Sequence, residues 1–277
     1  MMTQLIRSIR CFLFDMDGTI YLGDRLLPGA AAFIRHLEEI DFPFYFLTNN
    51  SSRSNQDYAD KLERQGLPTK PGRIITSGEA TAIYLQERNP SARVFLAGTP
   101  SLEGEFKHLG FHLADEDPEI AVLGFDTTLT YQKLATLCHL VRSGIPYIAT
   151  HPDINCPTED GFIPDIGAIM ALVKASTGRD PDIIVGKPHT PIVEAILAKT
   201  GYTAPEILMV GDRLYTDIAM GAVGLRTALV LTGEARREDI PSAPHPPDLV
   251  VSDLADLSRM FSDRVNFDQI SNQNQTN

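Results

Sequence analysis

Cysteine is scarce: the 277-residue chain has three, Cys11, Cys138 and Cys156, and no C-x-x-C pair. An odd, scattered set argues against a disulfide framework and against a thiolate zinc site. Long apolar runs are missing too, and none approaches the ~18 residues that a membrane-spanning helix needs. The short run Cys11–Phe14 after Arg7 and Arg10 is too brief for a secretory-signal core, so a cytoplasmic protein is expected. Positive charge is in deficit, with 24 Lys and Arg against 36 Asp and Glu, for a net charge of −12. That balance excludes a general binder of nucleic acid or of anionic membrane. A small phosphate ligand stays open, because its site needs only a few local donors and a metal.

What is present is an ordinary globular composition, 43% hydrophobic and 22% charged, with ample length for one large domain or two smaller ones. Short apolar runs alternate with stretches of helical period. The runs are Cys11–Phe14, Phe44–Leu47, Val94–Leu96, Ile120–Leu123, Tyr147–Ala149, Ile183–Val185, Ile207–Val210 and Ala228–Leu231. Between them the period predicts helices over Ala30–Ile40, Asn55–Gln65, Glu79–Glu87, Tyr131–Val141, Ile166–Ser176, Pro191–Thr200 and Thr216–Ala222. Such alternation predicts an α/β fold with a mainly parallel sheet. Gly66, Gly178 and Gly201 each fall just past a helical stretch, where left-handed caps are expected. The last residues, from 262 on, are rich in Gln and Asn and read as a disordered tail.

The sharpest local signal is Phe12-Leu13-Phe14-Asp15-Met16-Asp17-Gly18-Thr19, a strand that ends on D-x-D-G-T. At ~5–7% usage per residue type, that pattern arises by chance on the order of once in several hundred chains of this length. Ligands of open α/β sheets bind beyond the carboxyl ends of strands. Three further runs end on chemistry of their own: Thr48-Asn49-Asn50, Gly186-Lys187 and Gly211-Asp212. Acid, hydroxyl and amide, cation and acid are thus delivered to one edge.

These groups suit phosphoryl transfer. A carboxylate such as Asp15 can attack phosphorus, and Asp17 can protonate the leaving oxygen and later activate water. Residues i and i+2 of an extended segment face the same way, so the two acids can share a site. Their repulsion of a phosphate dianion calls for a hard divalent cation, for which carboxylates and water are the preferred ligands. Asp212, with Asp217 on the following helical stretch, would complete that site. Lys187 offers a point charge for phosphate, and Thr48 with groups near Asn49 offers further donors.

At this point the chain resembles the haloacid dehalogenase superfamily of aspartate-nucleophile phosphatases. It carries D-M-D-G-T (Asp15–Thr19), L-T-N-N (Leu47–Asn50), G-K-P (Gly186–Pro188) and G-D-R-L-Y-T-D (Gly211–Asp217) in the family's order. The resemblance implies Asp15 as nucleophile and Asp17 as acid/base. It implies Mg²⁺ held by Asp15, the Asp17 carbonyl and Asp212, with Asp217 supporting that shell. Phosphate would fall to Thr48, Asn49, Asn50 and Lys187.

Spacing points to a subclass. Thr19 and Thr48 are 29 positions apart, enough for one helix and one strand, whereas 139 separate Thr48 from Lys187. An inserted α/β cap is therefore expected over 82–182, with a doubly wound, Rossmann-like core from 1–81 and 183–261. The layout, with Y-L-G-D after D-G-T and T-N-N-S-S at the second motif, resembles the NagD/p-nitrophenylphosphatase-like group. Ala149-Thr150-His151-Pro152-Asp153 resembles that group's cap loop, which often reads A-T-N-P-D, so His151 stands in place of Asn and is a candidate substrate contact. His108 and His112 are solvated residues near a helix end, with Gly110 between them.

The expected function is Mg²⁺-dependent hydrolysis of small phosphate monoesters, such as a sugar phosphate, a phosphoglycolate-like acid or p-nitrophenyl phosphate, through an aspartyl-phosphate. The expected partner is a small phosphorylated metabolite, with dimerisation through the cap carried over from relatives. Two alternatives stay open at the sequence level. One is a phosphotransferase or mutase. The other is a silent phospho-ligand sensor, which would be expected to have lost Asp15, Asp17 or Lys187.

Overall fold

The computed structural model describes residues 2–158 and 161–262. The tail read from 262 on lies outside the described residues, except that Ser262 itself ends a helix over 254–262 and is not part of a disordered segment. Contacts divide the chain into two compact units. One comprises the residues up to Leu47, Gln65–Leu67 and those from Thr200 on; the other comprises Thr48–Arg64 and Pro68–Lys199. The predicted insertion, 82–182, falls entirely within the second.

In the first unit the strands lie in the order Leu249–Val251, Arg226–Val230, Ile207–Gly211, Cys11–Asp15, Phe44–Thr48. Every neighbouring pair is parallel, with Cys11 opposite Ile207 and Asp15 opposite Leu47. The chain leaves Cys11–Asp15 toward one side of the sheet and later returns on the other. The order therefore reverses between Cys11–Asp15 and Ile207–Gly211, which is where open α/β sheets bind ligands. A strand buried on both faces reads as a continuous apolar run, and Cys11–Asp15 is buried at all five positions. The core beneath it is aromatic. Phe12 meets Phe14, Phe33, Phe42 and Phe261 with ring centroids 5.1–5.5 Å apart, and Phe261 comes from a helix over 254–262.

The second unit has its own parallel sheet, in the order Ile183–Ile184, Tyr147–Ala149, Ile120–Leu123, Arg93–Ala97, His112–Leu113. Its core gathers Phe95, Leu123, Phe125, Leu137, Val141, Tyr147, Ile166 and Val173. Side chains cap its helices: Thr99 accepts from the Leu102 N–H at 3.3 Å, Thr130 from Lys133 at 3.1 Å and Asp165 from Ile166 at 2.6 Å. Arg179 ties two loops together, donating to the Val141 and Ile145 carbonyls at 2.7 and 3.1 Å. Buried Asp126 accepts from Lys133 Nζ at 2.9 Å.

The α/β alternation and most predicted elements hold, with physical exceptions. The segment predicted as a helix over 216–222 is instead a 3₁₀ turn at Ile218–Val223, a run that carries Gly221 and ends on Gly224. A helix at Pro100–His108 was not predicted; its apolar stripe is only Leu102 and Phe106, with Gly104 between. An antiparallel hairpin, Asn155–Thr158 with Gly161–Pro164, was masked by its prolines. Gly66, Gly178 and Gly201 all take positive φ, as expected of helix caps. No disulfide joins the three cysteines, and no described helix is long and apolar enough to cross a membrane.

Glu105, on Pro100–His108, gives the second unit a pH signature. Burial, reinforced by the Glu79 carboxylate, pushes it from 4.5 up to about 7. Thr76 Oγ1 and the Asn55 N–H each donate to it at 3.4 Å. The folded chain thus keeps a proton that the unfolded chain releases near pH 4.5. Its contribution to stability is complete below that pH and is lost as the pH rises through about 7. Glu105→Gln should flatten this decline and stabilise the protein at pH 8 by at most about 3 kcal/mol. Urea unfolding at pH 5 and pH 8 measures it; an unchanged pH slope would refute the assignment.

Candidate active site

In the first unit, the end of Cys11–Asp15 passes directly into a tight loop. The Met16 carbonyl accepts from the N–H groups of Thr19, Ile20 and Tyr21 at 3.3, 2.9 and 3.1 Å, and the Gly18 N–H returns to the Tyr21 carbonyl at 2.8 Å. Met16, between the two acids, is fully buried in the core. Asp15 is left at the strand end, nearly buried at 8% exposure. Asp17 is partly exposed, and its Oδ2 accepts from the Tyr21 hydroxyl at 3.3 Å.

The neighbouring strand, Ile207–Gly211, delivers Asp212 to the same place. Carboxylate oxygens of Asp15, Asp212 and Asp217, all buried, lie within 4.8 Å of one another. Asp212 Oδ2 accepts from the Glu234 N–H at 2.7 Å, and Asp217 Oδ2 accepts from the Arg213 N–H at 3.1 Å, so both carboxylates are aimed by main chain. Thr232 Oγ1 donates to the Gly18 carbonyl at 2.7 Å and joins the two loops. Glycine is required at two of these contacts. A Cβ on Gly18 would stand 2.4 Å from Asp212 Oδ2, and one on Gly233 only 1.9 Å from it. Thr232 and Gly233 escaped the sequence reading as site residues. Their signal was available, because they follow Arg226–Val230 at the same end of the sheet.

Three buried carboxylates this close repel one another and lose hydration, a combination that a hard divalent cation offsets. The donors are all oxygen, the glycines keep the cradle open, and a hard divalent cation fits this set. The residues that would hold it are Asp15, Asp212 and Asp217. Asp17, expected to contribute only its carbonyl, stands outside the carboxylate triplet.

The second unit carries the other predicted groups. Lys187, 2% exposed, follows Ile183–Ile184, and its main chain is gripped by the Asn49 amide. The Lys187 N–H donates to Asn49 Oδ1 at 2.8 Å, and Asn49 Nδ2 donates to the Lys187 carbonyl at 3.2 Å. Thr48 is buried and its Oγ1 accepts from the Asn50 N–H at 3.1 Å. Asn50 is occupied by its own turn, its Oδ1 accepting from the N–H and hydroxyl of Ser52 at 2.9 and 2.7 Å. His151, read as a substrate contact, has its side chain fully buried between Asp153 and Asp165.

Two family profiles match the chain, a haloacid dehalogenase-like hydrolase over residues 12–112 and a HAD-hydrolase-like profile over 184–257. The acid sugar phosphatase of Staphylococcus epidermidis is 38% identical over 251 residues, covering 90% of this chain and 96% of its own. The chain therefore belongs to the haloacid dehalogenase-like hydrolases.

Within them it stands with the NagD and p-nitrophenylphosphatase group. The 4-nitrophenylphosphatase of Thermotoga maritima superimposes with a TM-score of 0.89 at 47% identity, over 92% of this chain and 98% of its own. The p-nitrophenyl phosphatase of Archaeoglobus fulgidus does so with a TM-score of 0.85 at 32% identity, over 91% and 98%.

Proposed function

We propose that this chain is a Mg²⁺-dependent phosphatase of small phosphate monoesters, sugar phosphates and aryl phosphates foremost, and that it works through an aspartyl-phosphate on Asp15. The observation that carries the reading is the buried Asp15, Asp212 and Asp217 triplet at the switch point of a parallel sheet, in a chain similar to named sugar and nitrophenyl phosphatases.

Asp15 attacks phosphorus, the P–O bond to the leaving group breaks, and Asp17 supplies the proton that the departing oxygen takes up. Asp17 then removes a proton from water as that water attacks phosphorus. The P–O bond to Asp15 breaks and inorganic phosphate leaves. A bound divalent ion would neutralise phosphate charge and polarise the group for attack. By the family's motifs, Thr48, Asn49 and Lys187 take phosphate oxygens, with Lys187 offsetting the negative charge that builds up in the transition state. The cap is assigned to 82–182 and the core to 1–81 and 183–261. The cap selects the leaving group and forms a homodimer contact, and the enzyme is cytoplasmic.

Phosphate release from a panel holding p-nitrophenyl phosphate and several sugar phosphates tests this. Turnover should require Mg²⁺, fall to background in EDTA and return on adding Mg²⁺. Release that persists unchanged in EDTA would overturn the metal's role, and no release on any member would overturn the phosphatase.

A further inference from the structure

The motif chemistry does not use Asp153, which is nearly buried in the second unit. Its Oδ1 accepts from Asn49 Nδ2 at 3.0 Å, while Asn49 holds both main-chain polar groups of Lys187. A carboxylate only accepts hydrogen bonds, so Asp153 dictates which end of the carboxamide faces it. The NH₂ must turn toward Asp153, which leaves Oδ1 for the Lys187 N–H. In the flipped amide, oxygen would face carboxylate and NH₂ would face N–H, breaking both contacts in a buried place.

Asp153 is itself held. His151 Nδ1 accepts from the Asp153 N–H at 3.4 Å, and His151 Nε2 lies 3.5 Å from Asp165 Oδ1, which caps the helix Ile166–Thr177. The ring stands edge-on to Phe125. A Cβ on Gly186 would stand 2.6 Å from His151 Cβ and 2.7 Å from Asn49 Oδ1, so the three loops meet as closely as atoms allow.

We propose that Asp153 is a positioning residue for the phosphate-binding lysine. It orients Asn49, Asn49 clamps the Lys187 main chain, and His151 accepts from the Asp153 N–H to hold that main chain in place. A lysine ammonium rides on a flexible four-carbon stem, so fixing its root restricts where the charge can go. His151 thereby acts through its neighbours. The proposal rests on the reading of Lys187 as a phosphate ligand.

The test is Asp153→Ala and Asp153→Asn, each alone and combined with Lys187→Ala, with thermal unfolding as a control for folding. Asp153→Ala should lower kcat/KM by roughly 10- to 100-fold, the size of effect expected from a small misplacement. The factor should be the same for p-nitrophenyl phosphate and for sugar phosphates, because the damage is to phosphate binding. Asp153→Asn, whose amide oxygen can still accept from Asn49, should recover most of the loss. In the Lys187→Ala background, Asp153→Ala should add nothing. Calorimetric binding of inorganic phosphate with Mg²⁺ should follow the same pattern and does not depend on turnover. Losses that differ among substrates, or that add fully to those of Lys187→Ala, would overturn the proposal. Should Asp153→Ala not fold, Asn49→Ala must show the same non-additivity. If the wild type turns over no monoester, the phosphatase reading fails, while phosphate binding still decides the positioning role.

Discussion

Asp15→Asn should cut kcat on the order of 10⁴- to 10⁶-fold, the scale of losing an attacking group. Asn is nearly the same size and keeps one acceptor oxygen, so the fold should survive. Stability should even rise in EDTA. Asp15, Asp212 and Asp217 bring their oxygens within 4.8 Å of one another, and removing one charge relieves their mutual repulsion. The same substitution weakens any cation site there. Mg²⁺ should raise the melting temperature of the wild type through linkage and raise that of Asp15→Asn much less. Loss of activity with an unchanged response to Mg²⁺ would separate nucleophile from metal ligand. Substantial residual turnover would refute a covalent intermediate on Asp15.

Asp17→Asn should be graded by the leaving group. A general acid is worth roughly 10²- to 10⁴-fold, and most to a leaving oxygen that cannot bear negative charge. Sugar phosphates should suffer the full loss in the first step. p-Nitrophenolate departs readily without a proton, so that step should continue while the second step, which needs Asp17 as base, stalls. Rapid mixing should therefore show a burst approaching one equivalent of p-nitrophenolate, with one phosphoryl group of added mass on the protein. A linear trace with equal slowing on every substrate would remove Asp17 from both roles. Tyr21 donates to Asp17 Oδ2 at 3.3 Å, and Asn can still accept there, so the loop should hold its shape.

The first-unit chemistry was legible because local and global signals agree there. Cys11–Asp15 reads as an apolar run ending on an acid, and its strand ends where the run does. Gly211-Asp212 reads the same way, and topology makes those two strands neighbours. Sequence could not give that adjacency. It could not give the aim of Asp212 either, which comes from the Glu234 N–H on a later loop. The second unit was harder. His151 stood out as a departure from a loop pattern, and a histidine before Pro-Asp reads as readily as a ligand contact as a buried brace. Its partner Asp165 lies beyond an intervening hairpin, and Asn49 reaches Asp153 and Lys187 across 104 and 138 positions. Contacts at that range leave no periodicity. The 3₁₀ turn at Ile218–Val223 was misread as a helix because its apolar spacing suits one, while Gly221 weakens the longer hydrogen-bond ladder.

The pairing of Cys11 with Ile207 also has a cost during synthesis. Cys11–Asp15 leaves the ribosome well before Ile207–Gly211, and Phe44–Thr48 arrives soon after it to cover one of its sides. The other side has to wait until Ile207–Gly211 is made. At roughly 5–20 residues per second, that wait is on the order of ten seconds or more. Throughout it, an aromatic strand keeps one unpaired edge, the kind of surface on which nascent chains associate. Asp15 is thus made well before Asp212, and the sheet that places their strands side by side stays open until Ile207–Gly211 has followed.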